Sequence, residues 1–181
     1  SRVIPAASEI ANLRLRVNDR AGVSPATVRS YLLRARARKR PVHTVVIDYL
    51  QLMRGGMGRG AKRYEEISEI TRNLKLMAEE YQVVMVILSQ LNREVEKRPG
   101  GKPQLSDLRE SGTIEQDCDK VLFLHRPELY SSDPSLAGTF NVIVAKNRQG
   151  VCGEAELVFE GDYQRVVERV AGAAGVPTTR D

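Results

Sequence analysis

Val45-Val46-Ile47-Asp48-Tyr49-Leu50-Gln51 is the stretch on which the fold turns. Three consecutive β-branched residues read as a short strand buried on both faces, with Asp48 at its end. A helix follows, because Ile67, Ile70, Leu74, Met77 and Tyr81 recur at alternating spacings of three and four within Tyr64–Tyr81. That spacing places them on one helical face, as core packing. Val83–Leu88 is a second apolar run, closing on Ser89-Gln90. Strand, helix and strand in this order are the unit of a parallel α/β sheet.

Upstream, Ser24 suits a helix N-cap and Pro25 the first helical position, with Val28, Tyr31, Leu32 and Ala35 forming one apolar face. That helix ends in Arg34, Arg36, Arg38, Lys39 and Arg40. Cations there complement the helix dipole, and the same run is of a kind that contacts nucleic acid. Leu13, Leu15 and Val17 alternate with Arg14 and Arg16, which predicts a short edge strand after a helical segment within residues 1–12. Downstream, residues 92–104 and Pro127–Ala137 read as loops. Val121–Leu124 reads as a strand, and Thr139–Lys146 and Glu154–Phe159 as two strands joined by a hairpin turn. The expected fold class is therefore α/β, a mostly parallel sheet flanked by helices with a C-terminal β-hairpin. Residues 1–165 form the domain and 166–181, with Ala171-Gly172-Ala173-Ala174-Gly175, a flexible tail.

The 181 residues suffice for one domain with a real core. Lys and Arg exceed Asp and Glu by 28 − 23 = 5, a mild lean towards polyanions. Cys118, Cys152, His43 and His125 are isolated from one another in sequence, so neither a metal-ligand spacing nor a disulfide framework is present. Both cysteines read as ordinary buried thiols, and a reducing, cytoplasmic setting is expected. No apolar run reaches membrane-spanning length.

Four groups of residues carry candidate chemistry. Asp48 ends a buried strand, where a carboxylate can hold Mg²⁺ through water, although many strands end in Asp merely to form a turn. Gln90 ends the neighbouring strand, and its amide suits a phosphate oxygen or a water. Lys146 and Arg148, two apart at the hairpin base, project to one side. They would clamp phosphates or simply protect an edge strand. Residues 107–119 pack seven ionisable side chains and a glycine into thirteen positions with little periodicity, which reads as a charged loop at a strand edge. Within it Arg109 offers a forked donor, Gly112 lets main chain approach a phosphate, and Glu110 orients Arg109 or accepts from a sugar or base. Asp107 and Glu110 would otherwise pair with Arg109. The Gly55–Lys62 loop imitates a phosphate-binding loop but lacks Gly-Lys-Ser/Thr, since Ala61 separates Gly60 from Lys62.

Four blocks together resemble the replicative DNA helicases of the DnaB family. Val46-Ile47-Asp48-Tyr49-Leu50-Gln51-Leu52-Met53 is similar to that family's Walker B block, and Leu88-Ser89-Gln90-Leu91-Asn92-Arg93 to its sensor block. Residues 105–119 resemble its DNA-contacting block, and Ala145-Lys146-Asn147-Arg148-Gln149-Gly150 the segment bearing trans-acting cations. The likeness runs over about residues 13–165. It implies a RecA-like ATPase domain, usually in a hexameric ring, that uses ATP and Mg²⁺ to move along single-stranded DNA, with a primase and a helicase loader as partners. By position, Asp48 would coordinate Mg²⁺ and Gln90 sense the γ-phosphate. Lys146 and Arg148 would enter the ATP site of the adjacent subunit, while Arg109, Glu110 and Gly112 would hold DNA backbone in the channel.

The sequence departs from that pattern by having no Walker A loop. The family's catalytic glutamate, expected shortly after that loop, is likewise not found here. Cys118 stands where the family usually has Ala, and Gln149-Gly150-Val151-Cys152 replaces the usual Asn-Gly-Pro-Thr. The expectation is the C-terminal portion of a helicase, inactive by itself, in which the strands at 83–88 and 121–124 are left as neighbours with an unfilled gap or rearrange, exposing apolar surface that favours association or poor stability. The rival expectation is a non-catalytic, helicase-derived module that binds single-stranded DNA or regulates a ring.

Overall fold

The computed structural model describes residues 3–56 and 62–169. Helix α1 (Val3–Asn12) buries none of its residues. Helix α2 (Pro25–Ala37) begins as expected: the Ser24 hydroxyl accepts from the Thr27 amide at 3.3 Å, and Val28 and Leu32 enter the core. Removing that cap by Ser24→Ala should cost about 1 kcal/mol, read as a lower urea midpoint with unchanged m-value.

Strand β1 (Thr44–Ile47), helix α3 (Arg63–Tyr81) and strand β2 (Val84–Ile87) form the strand–helix–strand unit, with β1 and β2 parallel and Ile47 opposite Ile87. Ile67, Ile70, Leu74 and Met77 of α3 are buried, and Val45, Ile47, Met85 and Ile87 pack against the cluster they form. The opposite face differs from expectation. Val46 is 64% and Val84 60% exposed, so these strands are apolar on both faces but covered on one. Continuous apolar runs tell which faces repel water; they do not supply the second layer.

The remaining strands are β3 (Lys120–His125), β4 (Thr139–Asn147), β5 (Gly153–Glu160) and β6 (Arg165–Glu168), in that spatial order and antiparallel throughout. The α/β class is as expected, but among the described residues parallel pairing is confined to β1 and β2. Short turns join β4 to β5 and β5 to β6, and such connections only allow antiparallel neighbours. Strand β6 carries ordered structure past residue 165, through Glu168; residues 170–181 of the expected tail lie outside the described residues. Strands β2 and β3 share no ladder, and the outward residues Leu122 and Leu124 of β3 are 56% and 65% exposed. The two sheets thus share no strand pairing, although residues of both enter one hydrophobic core, and each keeps a bare apolar row.

Two further expectations are corrected. Residues 13–20 contain no strand, since the Leu13, Leu15 and Val17 alternation has no partner edge to pair with, and all three are exposed. The segment read as a charged loop is helical, a 3-10 turn over Leu105–Ser111 followed by helix α4 (Gly112–Asp117). Leu108 and Ile114 anchor it in the core. A pair of apolar residues six apart is too sparse a pattern to announce a helix.

Candidate functional site

Strands β1 and β2 end side by side and the chain is stitched beyond both ends. The Leu88 amide donates to Ile47 O at 2.9 Å, and the Leu50 amide to Leu88 O at 2.8 Å. Asp48 and Gln90 emerge here, both exposed. Among the described residues the Asp48 carboxylate takes part in no hydrogen bond or ion pair. Sequence reasoning gave no role to Gln51, yet its side-chain amide joins the two tips. Its Nε2 donates to Ser89 Oγ at 3.0 Å and to Gln90 O at 3.4 Å, and its Oε1 accepts from the Gln90 amide at 3.3 Å. The signal was a lone polar side chain inside Tyr49-Leu50-Gln51-Leu52-Met53.

Lys146 and Arg148 come together elsewhere, on the C-terminal end of α4. Lys146 Nζ donates to Glu115 O, and the Arg148 guanidinium to Gln116 O and, at 3.3 Å, to Asp119 Oδ1. The last carbonyls of a helix lack intrahelical donors and carry the negative end of the dipole, so two cations, Lys146 near the end of β4 and Arg148 just past it, fit there. Asp119 also receives Lys75 Nζ at 2.8 Å. The Lys75 ammonium, with a smaller pull from Arg148 and Lys146, holds the Asp119 carboxyl below the usual carboxylate range. No described hydrogen bond or ion pair ties Lys146 or Arg148 to Asp48 or Gln90. Asp48 and Gln90 therefore form one group within the chain and the two cations a second.

Arg109, Glu110 and Gly112 sit where the 3-10 turn meets α4. What fixes this junction is Asp107, which pairs with Arg98 from the preceding loop. Arg98 donates twice, Nη1 to Oδ2 and Nη2 to Oδ1, each at 2.9 Å, and the Gln104 amide adds a bond of 2.7 Å. The Asp107 side chain is 4% exposed. The Arg98 guanidinium, against the opposing effect of burial and with help from the Gln104 amide, holds its carboxyl below the usual range.

Of the cysteines, Cys118 is half-buried beside this segment, and burial pushes its thiol up; Cys152 is exposed, contrary to expectation, because it lies in the β4–β5 turn. No group of three or more His, Cys, Asp or Glu residues gathers among the described residues, and no helix there is long and apolar enough to cross a membrane. A single carboxylate suits a cation that takes most of its oxygens from water and phosphate, as Mg²⁺ does.

Taken together, this is an α/β domain with polar side chains at two adjacent parallel strand tips and a cation pair on an antiparallel extension. A family model of the DnaB-like helicase C-terminal domain matches residues 1–168, and the chain belongs to that family. It is 40% identical over 151 residues to the replicative DNA helicase DnaB of Pasteurella multocida, covering 83% of this chain and 32% of the relative. To the replicative DNA helicase DnaB of Geobacillus stearothermophilus it is 37% identical over 174 residues, 95% of this chain and 38% of that protein. Among solved structures, a DnaB-like replicative helicase described with its interactions with primase superposes with a TM-score of 0.86 at 40% identity, covering 93% of this chain and 40% of its own. A separately solved ATPase domain gives the same TM-score and identity, over 93% of this chain and 60% of that one. The chain thus spans about a third of the length of the two helicase relatives from Pasteurella and Geobacillus (32% and 38%).

Proposed function

We infer that this chain is the C-terminal motor portion of a cytoplasmic, ATP-dependent replicative helicase that translocates on single-stranded DNA and unwinds the duplex at the fork. The observation that carries the reading is the pair of strand tips, Asp48 and Gln90, held in register by Gln51 within a domain of the DnaB-like family. Asp48, exposed and without a partner among the described residues, would hold Mg²⁺, which neutralises charge on the nucleotide phosphates. Gln90 would donate its side-chain amide to the γ-phosphate or to the water beside it. Lys146 and Arg148 would leave the α4 carbonyls for the phosphates of ATP on an adjacent subunit of a hexameric ring. Arg109, Glu110 and Gly112 would track DNA backbone, a contact indifferent to sequence, as translocation requires. A primase and a helicase loader are the expected partners; one structural neighbour is described with its interactions with primase.

The test is made in a full-length helicase that contains this chain. Asp48→Asn should lower Mg²⁺-dependent ATP hydrolysis about a hundredfold while leaving the affinity for a (dT)20 oligonucleotide unchanged, since a phosphate-bound metal is a large share of transition-state charge stabilisation. Turnover that is absent in the unsubstituted protein would instead favour a non-catalytic DNA-binding module.

A further inference from the structure

The five cations of Arg34-Ala35-Arg36-Ala37-Arg38-Lys39-Arg40 equal the net charge of the entire chain. Without them 28 − 5 = 23 basic residues remain against 23 acidic ones. All five are exposed, and none forms an ion pair among the described residues; the ion pair on α2, Arg29 with Glu80, lies further up the helix. The dipole acts within the last turn, which holds Arg34 and Arg36, so it does not account for Arg38, Lys39 and Arg40 beyond it.

The backbone gathers them. Arg38 caps α2, Lys39 N–H donates to Arg36 O and Arg40 N–H to Ala35 O, both at 3.0 Å, which is the closing pattern of a Schellman motif. The motif folds Arg40 back over the last turn. Its left-handed position is held by Lys39 at φ 52°. Glycine occupies that position at no steric cost, whereas a lysine there is strained. The chain keeps a charge where stability favours none. One turn back, the Arg34 guanidinium lies 4.8 Å from the centre of the Tyr31 ring, which is 41% exposed. Cations beside an exposed aromatic ring form the combination that binds phosphates and stacks an unpaired base.

We propose that the C-terminal end of α2, with Arg34, Arg36, Arg38, Lys39 and Arg40 around Tyr31, is a second nucleic-acid site that binds the phosphates of a single strand. It lies on a different element from the 109–112 segment. The site goes beyond the helicase reading and does not depend on it, because it needs neither nucleotide nor metal.

The experiment is fluorescence anisotropy of (dT)20 from 50 to 200 mM salt without nucleotide, on the chain and on the triple variant Arg34→Gln/Arg36→Gln/Arg38→Gln. Three lost phosphate contacts flatten the log–log salt slope by about 2, so the chain should lose about twentyfold more affinity over that range than the variant. The same flattening should appear in an Arg109→Ala background. Lys39→Gly separates the site from mere folding: Tm should rise as the left-handed strain is relieved, while (dT)20 affinity falls and the slope flattens by about 0.7. Equal slopes in chain and triple variant, or flattening that vanishes with Arg109→Ala, would overturn the proposal. So would displacement of (dT)20 by polyglutamate as efficient as by unlabelled (dT)20, which would make the partner an acidic polypeptide.

Discussion

On the proposed helicase reading, Arg148→Ala is expected to slow ATP hydrolysis by an assembled full-length helicase containing this chain about a thousandfold, with little change in the KM for ATP. An arginine supplied across a subunit boundary acts on charge that develops in the transition state, and such groups contribute about 10³–10⁵ in rate. Arg148→Lys should recover little, because an ammonium cannot reproduce the planar fork. In the single chain Arg148 rests on Gln116 O and Asp119, so it docks at the end of α4 and is not part of the Asp48–Gln90 group. The trans placement has its own test. Protomers carrying Asp48→Asn, mixed with protomers carrying Arg148→Ala, rebuild intact sites where the remaining Asp48 of one meets the remaining Arg148 of the other. Activity should therefore return in the mixture; a mixture as inactive as its components would place both groups in one subunit's site.

The second large effect concerns the junction of the 3-10 turn Leu105–Ser111 with α4 and is one of stability. Asp107→Ala should destabilise the domain by about 3 kcal/mol, roughly a hundredfold in the folding equilibrium, measured by urea unfolding. The loss sits at the lower end for a broken buried pair because the orphaned Arg98 side chain, 28% exposed, still reaches water. The pH dependence has a definite sign. Arg98 lowers the folded-state pKa of Asp107 below its unfolded value. The contribution is therefore complete above the unfolded value near ~4 and disappears as pH falls through the folded one. Unfolding midpoints of the parent should drop in that acid window, and the Asp107→Ala variant should lose this share of the slope.

Helix α2 was legible because Ser24-Pro25 is a local start signal, and α3 because five apolar residues keep helical spacing over four turns. The strand tips were legible as places, since each apolar run breaks off at polar residues, Asp48 in one and Ser89-Gln90 in the other, though neither signal is specific alone. What failed shares one cause: periodicity reports which faces are apolar, not what lies against them. Leu13, Leu15 and Val17 alternate correctly and form no strand, while Val46 and Val84 belong to strands with a bare face. The candidate site divides in the same way. Asp48 and Gln90 could be picked out singly, but the Gln51 bridge and the Arg98–Asp107 pair join residues distant in sequence and have no local signature. The docking of Lys146 and Arg148 onto α4 also needed a helix that the charged composition of residues 107–119 had disguised as a loop.

The Gln51 amide has a mechanical consequence. With one side chain bonded to Ser89 and to both the N–H and the C=O of Gln90, the turn that follows β1 is tied to the end of β2. A tug on Gln90 is passed within a few ångströms to the main chain just after Asp48, much as a crossbar keeps two rails in gauge.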